Sequence, residues 1–360
     1  MKLTSRERIS RILNHQPVDR IGVFEHFWSD TYNSYVSEGH IPQNEMLELH
    51  FGLDMKLFWS LNLVADLDFV QEVVAETEDT ITIKDGNGAI LKRHKKHDST
   101  PEHVGFSVTC REEWMKIRHF FLEPDERRIN FAVYRAERAQ AMEHELFFCM
   151  CGVNVFEAIH PICGHENLLF GMADDPEWID DMVQVLSSLI VKLQKILFER
   201  EGIPDGIWYY EDLGYKNTPF MSPTMYREII MPGHVATFDF AHSLKLPVII
   251  HSCGFVEPLI PHLIEAGMDC LQVIEIKAGM DLLRIYEQYG EQIALIGGID
   301  VRVLYTNDRE AIDRELEEKL PIVKKGFGYV MHSDHSIPKT VDYDTFRYYL
   351  QKGIELGTYD

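Results

Sequence analysis

PVIIHSCGFVEPLIPHLIEAGMDCLQVIEIK, residues 247–277, holds a strand, a helix and a second strand in one short span. The apolar run PVIIHSCG ends in an imidazole, a thiol and a glycine. EPLIPHLIEAG reads as a helix closed by Gly267, and CLQVIEIK as the next strand. Two strands joined through a helix by short connections make a parallel βαβ unit.

The same rhythm runs outward on both sides. Upstream, LFFCMCGV (146–153) is a strand, followed by helical sequence through FEREG (198–202), and GIWYYED (206–212) is the next strand. SPTMYREIIMPGHVATFDFAHSL reads as a helix with Ser222 as N-cap and Pro223 at its first position. Downstream come the helix DLLRIYEQYG, the strand IALIGGID, the helix DREAIDRELEEKLPIVKKG, the strand GYVMHSDH and a last helix, YDTFRYYLQKGIELG. No G-x-G-x-x-G follows any of these strands, and GGID (297–300) is a weak match, which argues against a Rossmann sheet.

The N-terminal half is less regular. Thr4 and Glu7 fit a capping box opening a helix over 5–14, and Pro17 ends it before a first strand, IGVFEHFW (21–28). TITIKDGNGAILKRH (80–94) alternates around a glycine-rich turn, as a β-hairpin does. With an eighth strand hidden in this half, the chain is expected to be an α/β protein, a (β/α)8 TIM barrel. It would form a single domain over 1–360, with an N-terminal helical extension and a β-hairpin and helical elaboration over roughly 55–142.

The bulk composition sets limits on partners. Net charge is 35 − 58 = −23, which opposes phosphate backbones and anionic membranes, so nucleic acid is not an expected partner. No apolar run approaches the roughly 18 residues of a membrane span. The first residues carry no apolar signal core, and six cysteines without a disulfide-like spacing point to reduced thiols in the cytoplasm.

In such barrels chemistry collects at the C-terminal strand ends. Here those ends carry Glu25 and His26; Cys149 and Cys151; Glu211 and Asp212; His251 and Cys253; Glu275 and Lys277; Asp300; and His332, Asp334 and His335. A stability role does not require such side chains at one rim, so the pattern favours an enzyme over a non-catalytic binding barrel. His251 and Cys253 share a strand face, with α-carbons roughly 6.6 Å apart. An imidazole and a thiolate at that spacing suit zinc. Cys149, Cys151, Glu211 and His335 are all open as further ligands, although buried thiols in an apolar run such as 146–153 are commonly plain core.

Several co-linear segments, ERISRILNHQPVDRI, SPTMYREIIMPGHVATFDFAHS, VIIHSCG, EIKAGMD, LIGGIDVRVL and GYVMHSDHSIP, resemble the uroporphyrinogen decarboxylase superfamily of (β/α)8 barrels. The decarboxylases of that superfamily carry an arginine-rich segment near the N-terminus. This chain has no arginine between Arg20 and Arg93, so the clamp for a polycarboxylated tetrapyrrole is missing. The other branch holds zinc methyltransferases that work with corrinoid proteins. His251-x-Cys253 matches the first half of their zinc motif, and His335 stands where their distant cysteine would be.

The resemblance implies a Zn2+ site of His251, Cys253 and His335, harder than one with two thiolates. It also implies methyl transfer between a small methylated substrate, such as a methyl ether, and a corrinoid on a carrier protein. Glu211 and Asp212 are then the expected catalytic residues, and Glu25, His26, Lys277 and Asp334 the expected substrate contacts. Asp334 can instead hold a ligand imidazole or cap a loop, and Lys277 can pair with Glu275. The rival is a metal-free decarboxylase or lyase using His335 and Asp212.

Overall fold

The computed structural model describes residues 2–96 and 101–359. In chain order the strands are β1 (Gly22–Val23), β2 (Met55–Trp59), β3 (Glu72–Glu76), β4 (Thr80–Lys84), β5 (Ile90–His94), β6 (Glu102–Gly105) and β7 (Phe147–Val153). They continue as β8 (Gly206–Tyr210), β9 (Gly214–Tyr215), β10 (Thr218–Pro219), β11 (Val248–Ser252), β12 (Cys270–Val273), β13 (Ala294–Gly297) and β14 (Tyr329–Met331).

Eight of them form one parallel sheet in the order β1-β14-β13-β12-β11-β8-β7-β2. The two edge strands curl towards each other, and the Asp54 backbone N–H donates to Val23 O at 2.8 Å. The result is an α/β fold with a curled, TIM-barrel-like sheet, its strands linked by helices as the βαβ rhythm predicts.

The hidden strand is β2. It lies inside the stretch expected to be an elaboration over 55–142, so that boundary needs correcting. Met55–Trp59 pairs with β7 along its length, and the helix Phe131–Glu143 packs on β2 and β7. The elaboration therefore runs from the end of β2 to about Asn130. Its core is the expected hairpin, β4 against β5, widened by β3 and β6 into a four-stranded antiparallel sheet. The first strand is shorter than expected: only Gly22–Val23 join the ladder, and Phe27 makes an isolated bridge to Ile337.

The helix Ser5–Ile12 opens with the Thr4/Glu7 capping box. Its Ile9 and Ile12 pack with Phe147, Trp208, Ile249 and Ile296 into the interior of the sheet. Arg8 and Arg20 hold it there through the buried carboxylate of Asp54, each at 2.7 Å. Ser222 and Pro223 start the long central helix as expected. A π-type turn over Tyr226–Ile230 interrupts it before it resumes as Met231–Ser243. Among the described residues no helix is long and apolar enough to cross a membrane.

Candidate active site

Side chains alternate along a strand, so neighbouring residues face opposite sides of the sheet. Phe147, Cys149, Cys151, Trp208, Ile249, Cys270 and Ile296 all belong to the inner cluster, whereas Phe148, Met150, Ile207, Tyr209, Val248 and Ile250 pack outward against the helices. Continuing each register past the strand end puts His26, Tyr210, Asp212, His251, Cys253, Gln272 and His332 on the inner side. Glu25 and Glu211 fall on the outer side. Acidic pairs and neighbours that look like single units in the sequence are thereby split.

The inner set converges. One ligand atom each from Asp212, His251 and Cys253 lies within 4.8 Å of the others. Cys253 Sγ is 3.3 Å from His251 Nε2, and His251 Nε2 is 3.4 Å from Asp212 Oδ1. His251 Nδ1 is hydrogen-bonded to Gln272 Oε1. An amide oxygen only accepts, so Nδ1 carries the proton and Nε2 presents a lone pair to the cluster. A tetrahedral zinc with bonds of about 2.0–2.3 Å has ligand–ligand edges of about 3.3–3.8 Å. The spacing and chemistry of these donors fit such an ion. Burial pushes the Cys253 thiol well above its ordinary pKa, with Asp212 and Glu275 adding to the effect; a bound cation acts in the opposite sense.

The turn after β11 depends on glycine. Gly254 has φ +78°, and a Cβ there would lie 2.4 Å from the Gly214 carbonyl carbon. The Gly254 N–H donates to Glu275 at 2.6 Å, and Glu275 also pairs with Lys277 at 3.1 Å. Lys277 is thus placed as the partner of Glu275, the second of the two roles open to it.

Three of the expected site carboxylates do other work. Glu211 is fully buried; it accepts the N–H groups of Phe156 (2.8 Å) and Glu157 (3.1 Å), and His234 Nε2 lies 2.6 Å from it. It pins the start of the helix Val155–Asp174 rather than facing the inner cluster. Glu25 accepts from the Ser333 N–H and from the Tyr349 hydroxyl, both at 2.8 Å. Ser333 Oγ lies 2.8 Å from Glu25 and 2.6 Å from the His335 carbonyl, and one hydroxyl proton cannot serve both. A protonated Glu25 resolves this, consistent with burial pushing its pKa up to about 8. Asp334 accepts from the Ile276 N–H (2.9 Å) and the Val301 N–H (2.8 Å), a loop brace instead of a contact to an imidazole.

His335 is not part of the Asp212–His251–Cys253 group; its ring lies 5.8 Å from that of Trp28. Cys149 and Cys151 are buried among the inner apolar residues, which is the core reading of that run.

A second inner feature is a chain of neutral hydrogen bonds. His332 Nδ1 faces the Ser333 carbonyl and must donate, so its Nε2 accepts from His26 Nδ1 at 2.9 Å. His26 Nε2 in turn accepts from the Tyr210 hydroxyl at 3.0 Å. Burial lowers the pKa of both histidines, that of His332 to about 3, so the chain stays uncharged. Tyr210 is held between the ring of Trp59 (4.9 Å, nearly parallel) and that of His251 (4.8 Å). A cavity of about 290 Å³ lies alongside, lined by Phe24, His26, Phe27, Trp28, Trp59 and Tyr210 among others. Glu25 and His26, both foreseen as substrate contacts, are among its lining residues.

Gln272 and Trp59 went unnoticed in the sequence. A glutamine inside the apolar strand CLQVIEIK was the available signal for the first. Trp59 is invisible until β2 is placed. Glu157, His160 and His165 were also missed; they sit on the helix Val155–Asp174 with a Glu-x-x-His spacing and have ligand atoms within 4.8 Å of one another.

Fold and site together define a TIM-barrel-like α/β protein whose titratable and thiol side chains gather at the C-terminal strand ends. The chain belongs to the uroporphyrinogen decarboxylase (URO-D) family, whose profile matches residues 156–352. A methylated-thiol–coenzyme M methyltransferase of Methanosarcina mazei is 24% identical over 149 residues, 41% of this chain and 37% of that protein. The matched stretch thus spans well under half of that relative. The structure of a methyltransferase from Methanosarcina mazei superposes with a TM-score of 0.70, covering 98% of this chain and 99% of its own at 15% identity, which establishes a shared fold.

Proposed function

We propose that the protein is a zinc-dependent methyltransferase that moves a methyl group between a small methylated substrate, such as an aryl methyl ether, and a corrinoid on a carrier protein. The observation that carries this reading is the convergence of His251, Cys253 and Asp212, with one ligand atom of each within 4.8 Å of the others, beside an aromatic cavity. The matched relative named as a methyltransferase supports it. His251 and Cys253 are the ligands, with Asp212 or His335 completing the protein's share. Bound there, zinc supplies Lewis acidity at the departing oxygen of the ether.

The rest is done by side chains. Trp59, exposed and stacked on Tyr210, offers an aromatic face for the substrate ring, and Trp28 borders the same cavity. Gln272 fixes the His251 tautomer, and the His332–His26–Tyr210 chain commits the Tyr210 hydroxyl to donating towards His26. Tyr210 therefore orients substrate without supplying a proton. The reading includes a fully closed (β/α)8 barrel whose open rim receives the carrier. It also includes a cytoplasmic setting, in keeping with six free cysteines.

The metal-free decarboxylase reading is weaker. Among the described residues no arginine lines the cavity, and Arg20 is engaged by Asp54 through two bonds of 2.7 and 2.9 Å.

The test is zinc content of the purified protein together with methylation of cob(I)alamin from a panel of aryl methyl ethers and methyl thioethers. Zinc and methylcobalamin formation, both lost in Cys253→Ser, are expected. Absence of both from zinc-replete wild-type protein rejects the proposal.

A further inference from the structure

The helix Val155–Asp174 carries a second group of metal-type donors that the proposed function does not use. Glu157, His160 and His165 each present one ligand atom, all within 4.8 Å of one another. Glu157-x-x-His160 is the one-turn helical spacing by which carboxylate and imidazole reach one ion in helix-built metal centres.

The third donor arrives through a break in the helix. Gly164 has φ +80° and ψ 154°, outside helical space. A Cβ at that position would lie 2.3 Å from the ring of Phe106, so glycine is required on two counts. The break turns His165 back so that its ring stacks on His160 at 4.2 Å, with Phe220 stacked on its other neighbourhood at 4.8 Å.

Two groups here are left in unfavourable states. Among the described residues the buried His160 Nδ1 has no hydrogen-bond partner: Glu157 Oε1 is 3.4 Å away but not aligned for a bond. Glu157 is half-buried, and the carboxylates of Glu211 and Asp212 crowd its own with like charge. An unpartnered ring nitrogen and a crowded carboxylate are relieved together by one cation.

We propose that Glu157, His160 and His165 form a second site for a divalent transition-metal ion of the zinc class, with nitrogen and oxygen donors only. It adjoins the first group, since the Asp212 carboxylate is close enough for its charge to act on Glu157. An ion there places positive charge next to Asp212 without contributing a thiolate.

The test uses the full-length protein, stripped of metal and titrated with Zn2+ and with Co2+, alongside His160→Phe, His165→Phe and Cys253→Ser. The phenylalanines keep the ring stacking and remove the nitrogens, and Glu157→Gln serves if either fails to fold. Wild type is expected to take up two ions, each His→Phe variant one and Cys253→Ser one. The cobalt ion that remains in the His→Phe variants should show a thiolate charge-transfer band, and the one that remains in Cys253→Ser should not. Loss of one ion in the helix variants supports the proposal whatever Cys253→Ser does, so its fate is separate from that of the His251–Cys253 reading. Unchanged stoichiometry in folded His160→Phe, His165→Phe or Glu157→Gln overturns it.

Discussion

His251 and Gln272 are register partners on adjacent parallel strands, β11 and β12, and the glutamine's amide oxygen faces the histidine's Nδ1. A ladder position thus sets the tautomer of the proposed zinc ligand. The amide's own nitrogen is buried without a partner among the described residues, so Gln272 is held by sheet geometry rather than by a network of its own.

Removing that oxygen should weaken the ion without unfolding the protein. Gln272→Leu is expected to lower zinc affinity roughly 10- to 100-fold, the usual effect of losing an outer hydrogen bond to a ligand imidazole. Competition against a chelator of known affinity measures it. Wild-type affinity in the variant would mean that Nδ1 protonation does not matter.

Adjacent carboxylates should behave oppositely. Glu211→Ala leaves two helix N–H groups and the His234 Nε2 unpaired in the interior and should cost about 3 kcal/mol in urea unfolding. Asp212→Ala, with its side chain 39% exposed, should change stability by less than about 1 kcal/mol while abolishing methyl transfer. Equal stability losses would remove the distinction drawn from strand alternation.

The aromatic cavity should report on substrate size. Trp59→Ala is expected to raise KM for aryl methyl ethers by about 10-fold, as loss of one stacking partner does, with kcat little changed. Methanol or another small donor should show no such penalty. A uniform fall in kcat would place Trp59 outside the substrate path.

Acid should destabilise the protein partly through His332. Its folded pKa of about 3 lies below the ordinary 6.5, so between these values the unfolded chain binds a proton that the folded chain does not. Stability from this group is therefore complete above about pH 6.5 and lost as pH falls towards 3. The slope is about 1.4 kcal/mol per pH unit at most. Urea midpoints of wild type and His332→Gln across that range should diverge, the variant being flatter. Parallel curves would show that the histidine is no source of acid lability.

Much of the fold was legible because parallel strands buried on both faces write themselves as apolar runs, and the helices between them carry clear stops such as Gly267. The rim was legible for the same reason, since polar residues stand out where an apolar run ends. What the sequence obscured was which way each polar residue points. Glu25 and Glu211 look like His26 and Asp212 until the strand register is known, and one residue of offset separates a structural brace from a cavity wall. β2 was hidden because MKLFW is short and precedes a long elaboration whose own hairpin is the stronger local signal. The kink at Gly164 is a tertiary requirement, set by the ring of Phe106, and has no local signature beyond the glycine itself.

The close approach of Gly214 and Gly254 has a consequence for any redesign of the rim. A Cβ on Gly214 would meet the Cys253 carbonyl at 2.6 Å, and one on Gly254 would meet Gly214 in return. The loops after β8 and β11 are therefore a single mutational unit. A graft that exchanges one loop for a relative's must bring the other, or lose the backbone path that carries Cys253 to its place. Libraries that vary the two loops independently will be dominated by misfolded rims, and paired loop exchange is the productive search.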